Sequence, residues 1–315
     1  MYFMESKINI FNNKKILITG GGGYLGSKLA ERIINTNAQI YLCDLNFNNL
    51  SLSLSKNYKN NKLVEINITE KEKIAEFCKI IKPDYIFHFA ALLNRERDFS
   101  IYPLLYKVNV EGTLNLLEAL KDIPYQGLCF SSSSEVYGSK NIPPFNEEQM
   151  PYPVSPYSLT KVIAENLIRT YSDIYKKPYT IIRLFNFYGP DMPENFFLSQ
   201  LINTLKRNEI FKMTKGEQKR DYLYIDNLID SIIAICKYEK CIGETINVCS
   251  GKGIELRELA LEVAKIFNKE HLLKIGALPY RNNEIWDMVG DNRKLKNFVP
   301  IIDKFNHNNI LSNIL

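Results

Sequence analysis

A tyrosine and a lysine four residues apart, Tyr157 and Lys161 in Ser155-Pro156-Tyr157-Ser158-Leu159-Thr160-Lys161, fall on one face of a helix. A phenol beside an ammonium one turn away is a tuned proton donor and acceptor. The lysine charge favours the phenolate and brings the tyrosine pKa down from about 10, so proton exchange with an alcohol or sugar oxygen becomes efficient. That is the acid–base half of a hydride-transfer reaction. The spacing alone is not diagnostic, because Tyr58 and Lys62 repeat it in a polar, Asn-rich stretch.

The elements around the pair give it meaning. Lys15-Ile16-Leu17-Ile18-Thr19 is a short β-branched run that ends in glycines and leads into the helical pattern Tyr24, Leu25, Leu29, Ile33. Further strands are expected at 40–43, 63–66, 85–89, 127–131 and 179–184, with helices near 70–81, 104–121 and 156–176. Such alternation implies a doubly wound parallel sheet covered on both faces, a Rossmann-type α/β fold. After Gly189-Pro190, helices near 196–207, 226–238 and 255–267 alternate with short strands near 210–213, 222–225 and 245–249. The pattern divides the chain into an N-terminal extension (1–13), a dinucleotide-binding domain (14–189) and a smaller C-terminal α/β substrate lobe (190–315). The chain is free to cross between lobes, and a cleft is expected between them.

Composition excludes several function classes. The 315 residues are 45% hydrophobic, which suits a globular enzyme. The net charge of +5 comes from scattered lysines without a basic run, so no nucleic-acid partner is expected. Six cysteines form no Cys-x-x-Cys pair or Cys/His cluster, which predicts buried thiols in a reducing compartment and no metal. No apolar run is long enough to span a membrane, and Lys7 with several Asn residues replaces the apolar core of a signal peptide. A cytoplasmic protein with no membrane partner is expected.

Thr19-Gly20-Gly21-Gly22-Gly23-Tyr24-Leu25-Gly26 lies between the first strand and the first helix, the context in which glycines bind a dinucleotide. Gly20 permits the tight turn, Gly23 lets backbone approach a pyrophosphate, and Gly26 lets the helix pack on the sheet. The amides at the helix start, with Tyr24 and Leu25, then face the phosphates. Asp44, 18 residues after Gly26, is placed to accept from the adenosine ribose hydroxyls. Its charge favours NAD over NADP, which stays possible. Asn67-Ile68 after the third strand could bind adenine.

On these residues the chain resembles the extended short-chain dehydrogenases that modify nucleotide sugars, the NAD-dependent epimerase/dehydratase family. The resemblance covers about residues 14–300 and also rests on His88–Ala91, Asn109–Thr113, Ser131–Gly138, Arg183–Pro190 and Arg220-Asp221-Tyr222. It implies a catalytic set of Ser133, Tyr157 and Lys161: Ser133 on the sugar oxygen at C4, Tyr157 exchanging its proton, Lys161 on the nicotinamide ribose. It places Ala90, Asn109 and Ser131 among the cofactor contacts, where the adenine residue is usually Asp and Asn67 departs from the pattern. For the nucleotide diphosphate it implies Asn186, Arg220 and Arg281, and for the sugar Asn94 and Arg95. Glu135 is a further catalytic candidate or a structural carboxylate.

In 4,6-dehydratases of the family the serine segment reads Thr-Asp-Glu, whereas here it is Ser133-Ser134-Glu135. The missing Asp argues for a 4-epimerase or 4-keto-sugar reductase, serving surface polysaccharide or glycan precursors. The 4,6-dehydratase and the uronic acid decarboxylase remain open, as does a silent dinucleotide-binding sensor. The family's helices near 104–121 and 156–176 imply a homodimer through a four-helix bundle, with Leu104, Leu105, Leu116, Ile163, Leu167 and Ile174 outermost. His88 is expected to be packed rather than to act as a base, and Asp226 to cap a helix.

Overall fold

Ile16, Leu17 and Ile18 of the first strand are completely buried, as a strand covered by helices on both faces requires. The computed structural model describes residues 9–94 and 96–298. In chain order its strands are β1 (Lys15–Thr19), β2 (Gln39–Asp44), β3 (Asn61–Glu65), β4 (Tyr85–His88), β5 (Gly127–Ser133), β6 (Tyr179–Leu184), β7 (Asn186–Tyr188), β8 (Phe211–Met213), β9 (Lys219–Tyr224), β10 (Thr245–Val248), β11 (Gly253–Glu255), β12 (Leu273–Ile275) and β13 (Asp287–Met288). The described chain forms two compact units. One comprises 9–136, 153–183 and 229–246; the other comprises 137–152, 184–228 and 247–298.

The first unit carries a seven-stranded sheet in the order β10-β6-β5-β4-β1-β2-β3, apart from the last residues of β6 and β10. Strand β1 pairs in parallel with β2 on one side and β4 on the other. The strand order therefore reverses between β1 and β4, the switch point at which doubly wound sheets bind ligands. One face is packed by Leu17, Ile86, Leu128, Phe130 and Ile181 of the sheet against Ile74, Cys78, Leu116, Leu117, Ala164 and Ile168 from the helices Lys71–Ile81, Gly112–Ala119 and Pro156–Tyr175. Phe11, inside the expected extension, is fully buried and edge-on to Tyr85 at 5.2 Å, so that segment ends as part of this core. All six cysteines are free thiols, and burial pushes Cys43 and Cys78 up to about 12. Among the described residues no helix is long and apolar enough to cross a membrane.

In the second unit β9 pairs with β7, β11 and β13, and β8 with β12. Asp221 on β9 is buried and accepts from the amides of Ser250, Gly251 and Gly290 and from the Ser250 hydroxyl. One carboxylate thus gathers two separate segments, Ser250–Gly251 and the one around Gly290.

The structure differs from the sequence reading in identifiable places. A single boundary at 189/190 does not reproduce the two units. Residues 229–246 join the first, where Glu244 O accepts from Ile181 N at 2.9 Å and leads β10 onto β6. Residues 137–152 join the second, where Phe145 N donates to Val289 O at 2.8 Å. The helix Asn49–Asn57 has no counterpart in the reading, because Leu50, Leu52 and Leu54 alternate with serines at a strand-like period. Asn48 sets it instead, by accepting from Ser51 N at 2.8 Å. The helix expected at 104–121 begins at Tyr102 and passes through a π turn at Lys107–Glu111. Leu105 and Leu116 face the core and not outward, while Leu104 and Ile174 are exposed. Asp226 lies in the first turn of the helix Ile225–Lys237.

Candidate active site

The helix carrying the pair starts with a reciprocal cap. Ser155 Oγ accepts from Ser158 N at 3.0 Å, and Ser158 Oγ accepts from Ser155 N at 3.1 Å. Pro156 fills the first helical position, where no amide donor is needed. Tyr157 is thereby fixed in the first turn and Lys161 one turn later, both buried. Lys161 Nζ lies 5.9 Å from the Tyr157 ring centroid and 4.8 Å from that of Phe130. It donates to the carbonyl of Ser131 at 2.7 Å, which joins the helix to the end of β5. Burial pushes the Lys161 ammonium down to about 7, against the opposing charge of Glu165.

Of the four consecutive serines after Phe130, Ser131, Ser132 and Ser134 are buried and Ser133 is partly open. Ser133 Oγ accepts from the amide of Glu135 at 3.2 Å, which leaves its own proton to be given elsewhere. Ser131 Oγ donates to His88 O at 3.3 Å. Glu135 is engaged rather than free: its Oε2 accepts from Ser155 Oγ at 3.2 Å and faces Arg97 Nη1 at 3.8 Å. Arg97 also donates to Val154 O at 3.2 Å, so this pair braces the start of the same helix.

His88 is a packed residue. Thr113 spends its proton on Asn109 O at 2.6 Å, so His88 Nε2 must donate to Thr113 Oγ1 at 2.9 Å and Nδ1 accept from Thr19 Oγ1 at 2.7 Å. Burial, with the nearby Lys161 charge, pushes this imidazole down to about 3 and keeps it neutral. Asn109 is similarly committed: its amide donates to Leu92 O and Thr160 Oγ1 and accepts from Leu92 N. Both amide protons are used inside the chain, so Asn109 ties the loop after β4 to the Tyr157 helix. It sits in the π turn, a feature frequent at functional sites.

The glycine turn lies at the switch point. Gly20 has φ +72°, and a Cβ there would press on the amide of Ala90 and the carbonyl carbon of Phe89, both at 2.7 Å. A Cβ on Gly26 would overlap the carbonyl oxygen of Gly20. Gly23 stands at the N-cap of the helix Tyr24–Ile33 in extended backbone and offers no side chain to that cap. Asp44 stands beside them, its Oδ2 accepting from Gly22 N at 3.0 Å and its Oδ1 from Leu45 N at 2.7 Å. Asn67 Oδ1 accepts from Thr69 N at 3.0 Å. Ile68 is buried with its side chain against Gly112, so backbone rather than side-chain polarity is what it offers a base. This cradle fits a dinucleotide: close backbone, a helix N-terminus for phosphates and one carboxylate at the strand end. Gly26→Ala is expected to destabilise the protein by roughly 1–3 kcal/mol and to weaken dinucleotide binding. Urea unfolding and calorimetric titration with NAD check both.

The remaining candidates are less gathered. Asn94 Oδ1 accepts from Glu96 N at 2.7 Å and so shapes its own loop, while Arg95 lies outside the described residues. Asn186, Arg220 and Arg281 belong to the second unit. Asn186 Nδ2 makes a long contact to Met288 Sδ at 4.0 Å. Arg220 is held by Glu284 at 2.5 Å and by the carbonyls of Ile285 and Lys219, so a phosphate would have to compete with that carboxylate. Arg281 is exposed and makes no ion pair with another described residue. Sequence reasoning missed Arg97 and Glu165; the latter carried a signal, four residues after Lys161 on the same helix face.

Comparisons with known proteins identify the family. A family model described as the NAD dependent epimerase/dehydratase family matches residues 16–249. A dTDP-D-glucose 4,6-dehydratase from Dictyostelium discoideum is 33% identical over 83% of the chain, although the match spans only 63% of that protein. A UDP-N-acetyl-alpha-D-glucosaminuronate decarboxylase from Bacillus cytotoxicus is 30% identical, covering 90% of the chain and 91% of that protein. Among solved structures, a UDP-glucuronic acid 4-epimerase from Bacillus cereus, in complex with UDP-glucuronic acid and NAD, superposes with a TM-score of 0.87 at 25% identity. It covers 95% of this chain and 97% of its own.

Proposed function

The chain belongs to the NAD-dependent epimerase/dehydratase family, and on that premise we propose that it performs oxidation and reduction at C4 of a nucleotide-diphosphate hexose. The product would be the 4-epimer or, in a single reduction, the alcohol of a 4-keto sugar. The observation that carries this reading is the Lys161–Ser131 hydrogen bond, which ties the helix of Tyr157 to the strand end bearing Ser133, the partly open member of the four serines. Gly20, Gly23, Tyr24, Leu25, Gly26 and Asp44 would hold NAD, with Asn67, Ile68 and Ala90 at the flanks; bound there, NAD supplies the hydride acceptor and donor.

Tyr157 would take the proton of the C4 hydroxyl as the sugar is oxidised and return it on reduction. The Lys161 charge stabilises the phenolate oxygen as the proton leaves. Ser133, already accepting from the Glu135 amide, would donate to the same sugar oxygen. Lys161 keeps two protons beyond the one given to Ser131, enough for the ribose hydroxyls of the cofactor.

Glu135 is the reason for preferring this to dehydration. Its carboxylate is occupied by Ser155 and Arg97, and Ser134 is buried where the dehydratases carry an acid. The complete proton-transfer set argues against a silent sensor. UDP-glucose, UDP-glucuronic acid, dTDP-glucose and their 4-keto derivatives, each incubated with NAD, NADH, NADPH or nothing added, test the reading by NMR of the products. Conversion confined to C4 supports it, and no conversion of any member contradicts it.

We also propose a homodimer through the helices of Tyr102–Ala119 and Pro156–Tyr175, which pack on each other and expose Leu104, Leu114 and Ile174. Ile174→Glu is expected to convert the dimer to monomer in light scattering; an unchanged mass would refute this arrangement.

A further inference from the structure

Glu165 follows Lys161 by one turn and is completely buried. It accepts four hydrogen bonds: Ser132 Oγ at 2.5 Å, Arg183 Nε at 3.0 Å, Arg183 Nη2 at 2.8 Å and Arg169 Nη2 at 2.7 Å. A buried ion pair alone is weak evidence of any role beyond packing. What distinguishes this one is where its partners stand. Ser132 lies between Ser131, whose carbonyl receives Lys161 Nζ, and Ser133, the open hydroxyl. One carboxylate therefore ties the helix turns that carry Tyr157 and Lys161 to the strand end that carries Ser131 and Ser133. Strand β6 supplies Arg183, which fixes that carboxylate from a third element.

We propose that Glu165 is a positioning residue for the C4 reaction, setting the spacing of Ser133 and Tyr157 through Ser132 and placing its carboxylate one turn from Lys161 on the same helix. The inference rests on the function proposed above. The charged or titratable groups facing Lys161 are Tyr157 and Glu165 on its own helix and His88 on β4, while Arg183 and Arg169 face Glu165. His88 is neutral, so Glu165 is the anion that opposes the desolvation of Lys161. Burial would raise the Glu165 carboxyl, but the hydrogen bonds and charge of Arg183, with Ser132 and Arg169, outweigh it and hold it below its ordinary value. Glu165 thus stays ionised through the working range.

The test uses the full chain loaded with NAD and the nucleotide sugar that the panel above identifies. Ser132→Ala removes the bridge without changing charge. Its melting temperature and NAD content are expected to stay near wild type, while kcat falls about tenfold or more from lost alignment and KM moves less. Glu165→Gln combined with Arg183→Gln removes the anion together with its main counter-charge. With the anion gone, Lys161 loses its proton more easily, so the alkaline fall of kcat is expected to move to lower pH by about one unit. Variants that melt earlier yet keep the kcat and pH profile of the wild type would overturn the proposal, because Glu165 would then be only a packing ion pair. If the double variant does not fold, Ser132→Ala with unchanged kcat is sufficient to overturn it. A Tyr157→Phe control separates the two levels: full activity there means that the proposed function itself has failed, and this inference with it.

Discussion

Tyr157→Phe is expected to keep its fold and its NAD while turnover falls by about a hundredfold to ten-thousandfold, the usual share of a general acid–base group. The ring fills the same space, so packing in the first helical turn survives; only the hydroxyl is lost, at a cost on the order of 1 kcal/mol or less. Lys161 still donates to Ser131, and the glycine turn is untouched. Equal melting temperatures and equal bound NAD, beside a collapse in kcat, distinguish loss of a reacting group from loss of structure. Retained turnover would remove Tyr157 from the chemistry.

Lys161→Met should lose turnover by a similar factor and yet be no less stable below neutral pH. The ammonium is buried, and burial pushes it down to about 7 from an ordinary value of 10.5. Below pH 7 both folded and unfolded chains bind the proton, and the folded protein bears the cost of a desolvated charge. Between 7 and 10.5 the unfolded chain binds more protons, so wild-type stability from this group rises with pH. The methionine carries no charge, and replacing buried ionic groups by apolar ones can gain about 1–4 kcal/mol, against about 1 kcal/mol for the hydrogen bond lost at Ser131. Glu165 keeps Arg183 and Arg169, so no carboxylate is orphaned. The advantage of the variant in unfolding midpoint is expected at pH 6 and should shrink by pH 9. A variant less stable at pH 6 than at pH 9, relative to wild type, would mean that Lys161 is not strained by its burial.

The fold was legible where burial speaks through periodicity. Strands such as β1 and β6, buried along most of their length, appear in the sequence with their observed limits, and the glycine turn identifies its own switch point. Asn49–Asn57 was hidden because its Leu/Ser alternation imitates a strand, and the helix is started by a cap rather than by an apolar stripe. Tyr157 and Lys161 stood out by their spacing, and Ser133 only through the family resemblance. Partners that reach across strands were not: the Glu165–Ser132 and Glu135–Ser155 bonds join residues 33 and 20 positions apart, which no local pattern reveals. Arg220 illustrates the reverse, since its engagement with Glu284, 64 residues away, follows from burial of a guanidinium that needs a carboxylate.

The central claim is that hydride leaves and returns at C4 of a nucleotide-linked hexose, with Tyr157 handling the proton. The 4-hydroxy form of an active panel member, deuterated at C4 and incubated with NAD, tests it most directly by NMR. The expected result is deuterium at C4 of a hexose of inverted configuration, or on the nicotinamide beside a 4-keto sugar, in wild type and not in Tyr157→Phe. Deuterium found at C6, or a product that has lost carbon dioxide, would contradict the account.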